Sequence, residues 1–243
     1  MTQYLAIITA YGAVGLLAWL AALLYPRLIP AAAEYRASNR WRQIVLFAAA
    51  TAISVVLASL ADSGLFLAES NPLQAALNQC AIFAPVIGYI FFCRSRTLVM
   101  IPGRNTIRSL AVGVGIAFCA LAAFYSAADQ WENLPRLGNA LFSLAAVEIA
   151  VRAVFRCLVI AAFLSLVSSG WSKGLALGLA GLAVALTQIP GLLEDGFSAA
   201  WFGLLAAHVA LVVGLLSAIL ATRNIVWFWF VFTALNLLLF SLP

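Results

Sequence analysis

Three ionisable residues stand inside one apolar run. Glu148, Arg152 and Arg156, in AAVEIAVRAVFRCLVI, are spaced so that all three share one face of a helix. A charge held away from water is costly unless a partner offsets it. Glu148 and Arg152 are one turn apart and can pair, carrying little net charge between them. Arg156 is expected nearer the cytoplasmic end of its span, where a long side chain can snorkel to the headgroups. Two readings follow: a structural ion pair that ties helices together, or a polar site that binds or transforms something. Other polar groups within apolar runs are Asn78, Gln79, Gln188, His208 and Asn236. Glu148, Arg152, Gln188 and Asn236 make a candidate intramembrane network. One histidine in the chain excludes a multi-histidine metal centre. Neither an HExxH motif nor a G-x-S-x-G elbow is present. No metal or cofactor is expected, and catalysis, if any, would fall to Glu148 as base with His208.

The elements that must hold these residues follow from composition. Of 243 residues, 65% are hydrophobic and 9% charged, and the mean hydropathy is +1.09. So few charges could not cover a water-soluble fold, and a soluble domain, a disordered chain and a nucleic-acid-binding module are all excluded. The solvent is the lipid bilayer. At roughly 20 residues per helical span, the chain accommodates about eight. The expected fold is all-α, a single polytopic transmembrane domain over residues 1–243. Spans are expected near 4–24, 44–60, 75–93, 109–127, 139–167, 174–189, 199–221 and 226–242. The apolar N-terminal run has no basic leader region and reads as a retained first span.

The connections alternate in sign. Arg27, Arg36, Arg40, Arg42, Arg94, Arg96, Arg104, Arg108, Lys173 and Arg223 follow odd-numbered spans, with Glu34 the one acid among them. Asp62, Glu69, Asp129, Glu132, Glu194 and Asp195 follow even-numbered spans, with Arg136 the one base. Bases collect on the cytoplasmic side, so both termini are expected outside the cytoplasm, in a bacterial inner membrane. The net charge of +5 is thus a topology signal. The loop RASNRWRQ could also grip anionic headgroups, although orientation charge with an interfacial Trp41 explains it as well. Cys80, Cys93, Cys119 and Cys157 lie in or beside apolar runs and read as small buried hydrophobes without disulfides. No internal repeat of a transporter type is evident. Gly174 and Gly178, at GxxxG spacing, predict a close helix approach.

Taken in order, these residues resemble the CPBP family of intramembrane proteins, which includes the CAAX prenyl endopeptidases and bacteriocin self-immunity proteins. That family carries EExxxR, FxxxH and HxxxN signatures in its last four spans. Val147-Glu148-Ile149-Ala150-Val151-Arg152 resembles the first, with valine for the leading glutamate. Val184 to Gln188 would be the second, with glutamine for histidine. Phe232 to Asn236 would be the third, with phenylalanine for histidine. Thr222-Arg223-Asn224 is similar to the family's turn before the last signature. The resemblance covers about residues 140–240.

In that family a glutamate activates water while histidines and asparagine orient it and stabilise the oxyanion. Val147 cannot take a proton, and Phe232 cannot donate a hydrogen bond. What the resemblance implies is therefore a proteolytically silent relative: a scaffold, assembly factor or complex subunit that holds another integral membrane protein or lipid. An active, divergent protease using Glu148 and His208 is the alternative. A small transporter or channel subunit with a polar path along the Glu148–Arg152 face is the other.

Overall fold

The computed structural model describes residues 2–24, 28–35, 39–64, 71–93, 97–183 and 199–241. Within them the chain is all helical: α1 (Thr2–Leu24), α2 (Arg40–Asp62), α3 (Pro72–Cys93), α4 (Thr106–Ala128), α5 (Leu134–Leu141), α6 (Leu144–Ser168), α7 (Lys173–Ala183), α8 (Ala199–Thr222) and α9 (Val226–Ser241). Lipid offers the backbone no hydrogen bonds, so helices, which satisfy every amide internally, are the form such runs must take. Boundaries fall where polar side chains replace the lost backbone partners. Asn39 accepts from the Arg42 amide and Asn71 from the Gln74 amide at the starts of α2 and α3. Five helices (α1 to α4 and α6) are long and apolar enough to cross a membrane. Over the described residues the other apolar helices are shorter: α7, Val209–Thr222 within α8, and α9.

The helices pack into two groups that share α6. One core joins α1, α4, α8 and α9 around Phe124, Tyr125 and Trp227. The second joins α2, α3 and α6 around Phe47, Val86, Tyr89 and Leu166, and takes in Tyr35 and Leu98 from the connections. Helix α6 packs on α3 to one side and on α9 to the other. At Gly113 of α4 the chains come so close that a Cβ would lie 2.4 Å from the Trp227 carbonyl oxygen.

Four expectations need correction. The run expected as one span from residue 139 is broken, because α5 ends at Leu141 and α6 begins at Leu144. Ser143 takes an extended conformation and its hydroxyl donates to the Ala140 carbonyl, capping the end of α5 and turning the chain. With α6 so bounded, Arg156 stands at its midpoint, twelve residues from either end, instead of nearer to one end than to the other. Among the described residues, a Cβ at Gly174 would approach nothing nearer than 4.0 Å (the Ser172 hydroxyl), and one at Gly178 would have nothing within 4 Å. The tight α7–α8 contact is made by Gly181, whose Cβ would meet Val213 at 2.8 Å. Of the four cysteines only Cys157 is buried; Cys80 and Cys119 lie on outward faces, where a thiol behaves as a small apolar group toward lipid.

Candidate functional site

The α6 charges lie along a cleft against α9. Ile149, Arg152, Ala153 and Arg156 line one wall, and Phe232, Asn236 and Phe240, spaced at four residues, line the other. They enclose a cavity of about 140 Å³. Arg152 Nη2 donates to Glu148 Oε1 one turn away, and this is the ion pair found among the described residues. The pair is half-buried: the arginine is 39% exposed and the glutamate 20%. The Nε of Arg152 is buried without a partner. Asn236 turns its Nδ2 onto the Phe232 carbonyl of its own helix, at 2.7 Å. Arg156 is exposed and has no acidic partner among the described residues.

The charge arithmetic is the point. Two guanidinium groups face one small cleft and one carboxylate answers them, leaving a net positive charge at the centre of a 25-residue apolar helix. At 1.5 Å per residue, Arg156 is about 18 Å along the axis from either end. An arginine at that depth disfavours insertion by about 2.5–3.5 kcal/mol. The arrangement is poorly made for activating water. Glu148 is engaged by Arg152, Val147 is 44% exposed on the outward side, and Phe232 stacks on Phe228 with ring centroids 5.6 Å apart. Of the expected network, the structure brings Arg152 and Asn236 to one cavity and joins Glu148 to it through Arg152. Gln188 lies outside the described residues. So does the side chain of His208; its helix α8 packs on α1, while α6 packs on α3 and α9.

A second polar centre, at the end of the bundle where the basic connections meet, is of a different kind. Asn224 is fully buried between α8 and α9. Its Nδ2 donates to the Pro30 carbonyl (2.8 Å) and to the Ser109 hydroxyl (2.7 Å), and its Oδ1 accepts from the Val226 amide (2.9 Å). The Ala32 amide donates to the Arg223 carbonyl and the Ile225 amide to the Met100 carbonyl. Trp227 Nε1 donates to Thr222 Oγ1. Three connections, after α1, α3 and α8, are thus knotted to the start of α4. Nearby, Arg40 lies over the rings of Trp41 (5.7 Å) and Trp171 (5.4 Å). Burial, reinforced by the Cys93 thiol, pushes the Tyr35 phenol above its ordinary pKa, and it donates to Gln43 Oε1 at 2.6 Å. The sequence singled out the Thr222-Arg223-Asn224 turn only by resemblance. The physical signal was a lone asparagine between two apolar runs too close together to leave a solvated loop.

At the opposite end α5 covers a cavity of about 400 Å³. Leu134, Leu137 and Leu141 form its lid, and Phe118, Leu121 and Phe230 are among its walls. Arg136 and Asn139 point to the exposed side of this short amphipathic helix. Tyr125 and Trp131 meet at its rim with ring centroids 5.8 Å apart. No grouping of three or more potential metal ligands occurs among the described residues. No protein-family model, curated protein or solved structure matches the chain.

Proposed function

We propose that this protein is a non-enzymatic subunit or assembly factor of a membrane complex, built on an eight-span helical bundle and holding another integral membrane protein against the α6–α9 cleft. The observation that carries the reading is the unbalanced cleft: two arginines, one glutamate and Asn236 in the middle of an apolar helix pair. A site so placed and left short of negative charge is suited to holding something that supplies it. Proteolysis would need a free carboxylate beside a bound water and a donor beside the forming oxyanion. Glu148 tied to Arg152, with phenylalanine at position 232, supplies neither. The CPBP resemblance is consistent with a silent relative of those proteases. The alternating loop charges support a topology with both termini outside the cytoplasm of a bacterial cell.

Two experiments test the reading. The purified protein in lipid is mixed with prenylated CAAX peptides and membrane-embedded test substrates, and no cleavage is expected. Cleavage that disappears in both Glu148→Ala and His208→Ala would replace this reading with a divergent protease. Purification in mild detergent from the native membrane is expected to bring down a stoichiometric membrane protein. Cysteine labelling from either face of intact cells tests the topology; labelling of a residue at positions 97–105 from outside would refute it.

A further inference from the structure

We infer that the α6–α9 cleft is a carboxylate-binding site, and that its occupant is an acidic side chain near the middle of a partner's transmembrane helix. This rests on the scaffold reading and names the chemistry of the partner. Charge complementarity is the first argument. Among the described residues, Arg152 spends one nitrogen on Glu148 and keeps a buried Nε unpaired, while Arg156, one turn further along the same wall, has no acid. A second copy of this chain would bring two more arginines for each glutamate and would not redress the balance. A carboxylate would: it has two oxygens for two guanidinium groups on one helix face, and Asn236 stands opposite on α9. The cavity of about 140 Å³ is large enough for such a side chain and too small for a folded element.

Depth is the second argument. A lipid phosphate resides at the headgroup level, and Arg156 is twelve residues from both ends of α6. A carboxylate carried on a crossing helix reaches the midplane without deforming the bilayer, and an interhelical polar contact there is sheltered from water. The neighbouring aromatic and aliphatic side chains, Ile149, Phe232 and Phe240, supply the apolar contact that a passing helix would cover.

The test uses the full chain in phosphatidylcholine vesicles, labelled with a fluorescent donor. The probe is an acceptor-labelled leucine–alanine peptide of about 22 residues, one span long, with a single central glutamate, compared with its glutamine twin. The glutamate peptide is expected to associate about tenfold more tightly, the ratio of one good interhelical polar contact. Arg156→Gln should abolish the difference and Arg156→Lys should retain part of it. Equal association of the two peptides with the unaltered protein would overturn the proposal, and this comparison needs no variant to fold. Loss of the preference on adding phosphatidylglycerol would assign the cleft to a headgroup and overturn it as well. Arg156→Gln is also expected to raise the melting temperature of the protein alone, because it removes an unpartnered charge. A natural partner that co-purifies equally with the unaltered protein and with Arg156→Gln would refute this inference and leave the scaffold reading intact.

Discussion

The knot at Asn224 and the cleft at Arg156 are both polar centres in an apolar chain, and they are finished to different degrees. The Asn224 amide donates to the Pro30 carbonyl and the Ser109 hydroxyl and accepts from the Val226 amide, and backbone bonds of Arg223 and Ile225 flank it. Around Arg156, among the described residues, one carboxylate faces two guanidinium groups and a buried Nε is unpaired. A satisfied buried network rigidifies a fold, whereas a half-satisfied one is a standing penalty. The difference teaches where each centre looks. The first is closed on itself and serves the fold; the second has unused capacity, which the proposed partner carboxylate would use.

Mutations can break or sharpen that contrast, beginning with the largest effect. Asn224→Ala leaves the Ser109 hydroxyl, the Pro30 carbonyl and the Val226 amide without their partner in a water-free site. At about 1–3 kcal/mol for each unsatisfied buried group, the loss should reach about 3 kcal/mol or more, measured by thermal unfolding in detergent. A loss under about 1 kcal/mol would mean that water enters the knot and that the contrast is overdrawn.

Gly113→Ala is next. Its Cβ would press on the Trp227 carbonyl, which is backbone and cannot swing aside. Separation of α4 from α9 should cost about 2 kcal/mol, read as a lowered melting temperature. The knot side of the molecule is thus expected to be intolerant of even a methyl group.

On the cleft side, Glu148→Gln removes the one carboxylate and leaves two arginines facing each other across a single turn. Because the pair is half-exposed, a loss of only about 1 kcal/mol is expected. Glu148→Gln combined with Arg152→Gln should recover part of it, since the second change removes the charge the first one strands. A double variant as unstable as the sum of the two singles would show that the groups do not interact. Smallest of all is Trp171→Ala, which removes one ring from Arg40 at the basic end. A partly exposed cation–π contact is worth about 0.5–1 kcal/mol, and association with anionic vesicles is the more sensitive measurement.

Legibility in the sequence followed the length of the signal. Long apolar runs announced α1 to α4 and α6, and their ends were misplaced by only a few residues, because polar caps are short and local. The break at Phe142-Ser143 was missed: Phe142 continues the apolar run, and a single serine carries the whole turn signal. That break brings the start of the helix five residues closer to Arg156, which thereby stands at the midpoint, while the distance to the other end changes by one residue. The i, i+4 pairing of Glu148 with Arg152 was legible, because both partners lie on one helix and the spacing alone brings them together. The GxxxG pair misled, because close approach depends on which neighbour a helix meets, and α7 meets α8 at Gly181.

Composition by itself determined that the chain is a helical membrane protein, since so apolar a sequence has no stable form in water and lipid leaves the backbone only internal hydrogen bonds. Local spacing determined the Glu148–Arg152 pair. The tertiary structure alone decided that Asn236 faces the arginines, that Asn224 joins the connection after α1 to the start of α4, and that α5 roofs a cavity. Each of these joins residues far apart in the chain. Periodicity records which face of a helix is polar, but not which other helix that face will meet.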